Sequence, residues 1–105
     1  MIKKFFSIVL LLFISETFLF AKSNFFQEGV NLFNTNKLEA AKFKFEKDIV
    51  FNPKSEQSYL YLSKIFNKLD NKSLEEQNLN TVVLLNPKNE EAIYNLAKLK
   101  LASSD

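Results

Sequence analysis

Two pairs of acids, Glu75-Glu76 and Glu90-Glu91, are the side chains of this 105-residue chain that first suggest chemistry. Two carboxylates that converge on one point can divide acid and base work between them. These pairs are not placed for it. Sequence neighbours point in different directions on a helix, and no histidine, no arginine and no glycine-rich phosphate loop stands beside them. The absence of histidine and cysteine also removes the commonest zinc sites, haem ligation, histidine general bases and thiol nucleophiles. No catalysis, metal or cofactor is expected. What remains is non-covalent: Phe26, Leu60 and Tyr94 recur at intervals of 34 residues, as do Lys64 and Lys98. Apolar surface and ammonium groups repeated at a fixed interval suit the holding of a ligand.

The same interval organises the chain, because Asn52-Pro53-Lys54 returns 34 residues later as Asn86-Pro87-Lys88. A unit of this size cannot bury its own apolar face and must stack on a copy of itself. Each copy closes a stretch that reads as two helices. The first runs from Ser23 or Asn24 to Phe33 and is followed by a turn at Asn34-Thr35-Asn36, where Asn36 with Glu39 has the form of a capping box. The second runs from Lys37 to Phe51, with Leu38, Ala41, Phe45 and Ile49 inward, and stops at Asn52-Pro53 because the residue before proline is pushed out of the helical region. The third runs from Ser55 or Glu56 to Lys68. After Asp70-Asn71-Lys72, Ser73 with Glu76 has the form of a second capping box for a fourth helix over Leu74 to Leu85. A fifth, from Asn89 or Glu90 to Leu101 or Ala102, carries Glu90 and Glu91 in its first turn and Lys98 and Lys100 near its end, matching the helix dipole.

Residues 1–21 read differently. Lys3 and Lys4 precede an apolar run from Phe5 to Ile14, and Ala21 offers a small residue at a cleavage point, the layout of a secretory signal. Glu16 interrupts the run before it reaches the roughly 20 apolar residues of a spanning helix. Export to the bacterial cell envelope or periplasm is the expectation, with a retained inner-membrane anchor as the alternative. Without Lys3, Lys4 and Glu16, twelve lysines face eleven acids, a balance that favours neither nucleic acid nor a polybasic membrane face. Lysine without arginine also lacks the fork-shaped donor used to read phosphates and base edges. With no cysteine for a disulfide, the core must come from packing alone.

This pattern resembles the tetratricopeptide repeat family, with residues 22–55 as one repeat, 56–89 as a second and 90–102 as a closing helix before a tail at 103–105. The large residue of the family's first helix falls on Phe25, Tyr59 and Ile93, its leucine and small residue on Leu62-Ser63 and Leu96-Ala97, and its next large residue on Leu32 and Phe66. In repeat one, Glu28 replaces the leucine while Gly29 keeps the small position. Ala41 and Phe45 match the small residue and aromatic of the second helix. Repeat two departs there, with Glu75 for the small residue, Leu79 for the aromatic and Val82 for a later alanine, and Asp48 stands at that alanine in repeat one.

The resemblance implies an all-α superhelix of antiparallel helix pairs whose first helices line a concave groove for a protein or extended peptide. Carried over by position, the wall is Phe26, Val30 and Phe33; Leu60, Lys64, Asn67 and Lys68; and Tyr94, Lys98 and Leu101. A guest with apolar side chains and a carboxylate would match the apolar row and the lysines. Two blander roles stay open: Phe26, Leu60 and Tyr94 also suit packing between adjacent first helices, and the lysines also suit a solvated face. A third arrangement is assembly. Leu99 and Leu101 at an uncapped end would favour a homodimer or an adjoining structural subunit.

Overall fold

The computed structural model describes residues 24–104, so the reading of 1–21 as a signal segment lies outside the described residues. The fold is all-α, built of helical hairpins. In chain order the helices are α1 (Phe25–Asn34), α2 (Leu38–Phe51), α3 (Glu56–Lys68), α4 (Lys72–Leu85) and α5 (Glu90–Ser103). Helix α1 packs on α2 and α3 on α4, while α2–α3 and α4–α5 contacts join one hairpin to the next. Among the described residues no helix is long and apolar enough to cross a membrane.

Helix α3 is the shared wall of two cores, which explains why its apolar residues occupy more than one face. Leu62 and Ile65 join Ala41 and Phe45 of α2, with Phe26 and Val30 of α1 packed against them. Leu60 joins Leu79 and Val82 of α4 and Ala92 of α5. Small residues set the spacing of the first hairpin: a Cβ added to Gly29 would lie 2.8 to 3.0 Å from ring carbons of the buried Phe45. Not every apolar residue of these helices and turns is inward. Ala40 and Ala97 are exposed, as are Leu69, Leu84, Leu85 and Ile93.

Both hairpins turn on the same device, and it differs from the expected capping boxes. Asn36 and Asp70, one period apart, have φ of 61° and 56°. Each is the left-handed residue that ends the preceding helix, where glycine is usual and Asn or Asp is tolerated. In the first turn Asn36 N–H donates to the Phe33 carbonyl and Lys37 N–H to that of Leu32; in the second, Asp70 N–H donates to Asn67 and Asn71 N–H to Phe66. Asn36 therefore closes α1 and does not cap α2. The N-cap of α2 is Lys37, whose side chain makes no cap bond. The N-cap of α4 is Asn71, not Ser73, and its side-chain oxygen accepts from Leu74 N–H at 3.1 Å.

Lys37 and Asn71 are equivalent and share nearly the same backbone, φ/ψ of −92°/73° and −105°/85°. Lys37→Asn should therefore transplant the second cap into the first hairpin, stabilising the chain by about 0.5–1 kcal/mol. Urea denaturation checks this, and an unchanged midpoint would show that the first turn does not admit the bond.

Candidate functional site

The repeated Asn-Pro-Lys does two different jobs. Asn52 donates its amide to Asp48 Oδ1 at 3.1 Å, within its own hairpin. Asn86 donates to Glu56 Oε1 at 2.9 Å, and Asn89 donates to the same oxygen, tying the loop before α5 back to the start of α3. The Asn89 amide, then that of Asn86, holds the Glu56 carboxyl below its ordinary pKa. A depressed carboxyl contributes stability above its unfolded pKa, and this is lost as pH falls through the folded value.

Toward the other ends of α3 and α5 lies a concavity of about 380 Å³ between these helices, floored by the start of α4. Five of the expected groove residues line it together: Phe33 on α1, Lys64, Asn67 and Lys68 on α3, and Lys98 on α5. Asp70, Lys72 and Glu75 complete the floor, and Asn95, Leu99 and Ala102 complete the α5 wall. Glu75, the acid at a small residue's place, is buried and accepts the Asn67 amide at 3.1 Å. Its neighbour Glu76 turns away to meet Lys100 at 3.3 Å. Adjacent acids thus diverge on the helix, as their sequence spacing requires.

The lysines are differently engaged. Lys64 bridges to Glu91 of α5 at 2.7 Å and sits 5.1 Å from the Tyr61 ring centroid. Lys68 lies over Phe33 at 5.7 Å and Lys98 over Tyr94 at 5.5 Å. Half-exposed pairs of the Lys64–Glu91 kind contribute little to stability. The four lysines lining the hollow outnumber its two acids, so its rim offers ammonium groups to a carboxylate.

The apolar row does not form one wall. Phe26 and Val30 are half-buried in the first core, Phe26 meeting Phe45 and Tyr61 edge-on with centroids 5.9 Å away in each case. Leu60 is 2% exposed in the second core and offers no surface to a guest. Tyr94 and Leu101 are 64% and 70% exposed but do not line the concavity. Leu99, expected at the uncapped end, instead packs against the second core. The reason is the same in each case. Phe26 is covered by α2 and α3 and Leu60 by α4 and α5, whereas no described helix lies over Tyr94.

Tyr61 escaped the sequence reading. It stacks on Phe45 at 4.9 Å with planes 12° apart and takes Phe33 edge-on at 5.3 Å, centring a four-ring cluster beside the groove. Its period mates are Gln27 and Asn95, so repetition gives no signal for it. Glu75 did carry one, a charge where the pattern has a small side chain. No family model matches this chain, and no curated protein matches it.

Proposed function

We propose that this chain is a non-catalytic binding module of the tetratricopeptide kind, exported to the cell envelope, that holds an extended protein segment in the α3–α5 concavity. The carrying observation is the convergence of Lys64, Asn67, Lys68 and Lys98 from two helices on one hollow. The chemically matched guest has a carboxylate for the lysines and an apolar side chain for Phe33 and Leu99. Residues 1–21 supply the export reading, with membrane attachment as its alternative.

Panning an unbiased peptide library against the chain tests this. Bound sequences should pair an acid with an apolar residue and weaken with salt, as exposed charge pairs do. The variant Lys68→Glu/Lys98→Glu, which alters two exposed side chains, should bind them at least about tenfold more weakly while its helicity is unchanged. Equal binding by the variant, or no enrichment at all, removes the groove.

A further inference from the structure

We propose that the outer face of α5 pairs with α5 of a second copy, antiparallel, about a two-fold axis near Ala97. This goes beyond the groove reading and does not rest on it. Ile93, Ala97 and Leu101 follow one another at four-residue steps, so they form one stripe on the helix. Tyr94 borders that stripe, and all four are exposed. Their equivalents one period earlier are Tyr59, Leu60, Ser63 and Asn67. There the same face is used: Leu60 and Ser63 are buried, Tyr59 is packed against the second core, and Asn67 donates to Glu75 of α4. The stripe on α5 is thus the position at which α3 receives its antiparallel neighbour.

A second α5 fits that position on two counts. The stripe is self-complementary, because a two-fold axis at the small Ala97 lets the helices approach and sets Ile93 of each against Leu101 of the other. Such an isologous contact closes at two copies. The charges agree with the antiparallel sense: Glu90 and Glu91 open the helix, and Lys98 and Lys100 lie near its end. An axis at Ala97 sets the Glu90 end of each helix beside the last turn of the other, while Glu91 and Lys100 also hold Lys64 and Glu76 within the chain. Antiparallel pairing also opposes the two helix dipoles, whereas parallel pairing would align them and bring like charges together. The concavity lies on another side of α5, lined by Asn95, Lys98, Leu99 and Ala102, so pairing leaves it open.

The chain has no cysteine, so Ala97→Cys makes a sole thiol. Two such thiols beside the axis come within the roughly 4–7 Å Cα separation that a disulfide spans. Under mild oxidation the full chain carrying Ala97→Cys should become a covalent dimer, whereas Asn80→Cys, exposed on α4, should not. Sedimentation of the otherwise unaltered chain should show a concentration-dependent dimer, weakened on the order of 100-fold by Leu101→Glu, which would bury an unpaired carboxylate. Equal cross-linking at 80 and 97 overturns the proposal, as does a monomer at every concentration. A dimer that cross-links through Val50→Cys or Leu84→Cys instead, at the exposed apolar residues of α2 and α4, overturns it too.

Discussion

Phe45→Ala is expected to lower the thermal midpoint of the helical signal by roughly 15–30 °C. The ring is fully buried, stacks on Tyr61 and meets Phe26 edge-on. Its removal costs about 3–5 kcal/mol in a core that relaxes only partly, and a domain of this size loses about 4–8 °C per kcal/mol. Residues 24–104 hold about 4–12 kcal/mol in total, so the variant is left near its limit. Leu84→Ala, at a site 82% exposed, should change little and serves as the control. The pairing beneath the ring sharpens the test. Gly29 meets Phe45 in the first hairpin, where the second has Ser63 and Leu79 at the equivalent positions. Gly29→Ala alone gains about 1 kcal/mol of helix propensity but overpacks the ring at a cost of about 1–3 kcal/mol, so it destabilises. In a Phe45→Leu background the obstruction is gone, and the same change should stabilise. Identical effects in both backgrounds would show that the two positions do not share one gap.

Helix positions were largely legible because apolar periodicity and the Asn-Pro stops both report on backbone geometry. The turns were misread for a physical reason: Asn36 satisfies the composition of an N-cap and of a left-handed helix end equally well, and only the backbone decides between them. The hollow between α3 and α5 was legible where charged side chains line it. Lys64, Asn67, Lys68 and Lys98 meet at one hollow because helix spacing keeps polar residues on one side. The apolar row was not, since a residue at fixed period is core or surface according to what lies over it. Phe26, Leu60 and Tyr94 have the same register and three different exposures. Tyr61 and Lys72 have no period mates of their own kind, so repetition says nothing of them.

Ser58→Ala and Asp48→Ala should each destabilise the chain by about 1.5–3 kcal/mol, yet together cost little more than either alone. Asp48 stands where the resembled pattern has alanine, and it is buried. Its Oδ2 accepts the Ser58 hydroxyl of α3 at 2.5 Å, and its Oδ1 accepts the Asn52 amide at 3.1 Å. Removing Ser58 strands a buried carboxylate oxygen, whereas removing Asp48 strands a buried hydroxyl. Removing both leaves two methyl groups at the α2–α3 contact and strands neither polar group, so the second change adds little to the first. A denaturant double-mutant cycle reads the coupling directly, with about 1.5–3 kcal/mol expected. Costs that simply add would mean that each group finds another partner. The bond would then not fix how the second hairpin sits on the first. A large coupling instead explains how an acid is tolerated at an alanine position: Ser58, ten residues on, satisfies it from the next helix. Glu75 and Asn67 repeat that logic between α3 and α4, beneath the groove. The two buried acids that depart from the resembled pattern, Asp48 and Glu75, are thus each met by a polar group on α3, the helix that both cores share.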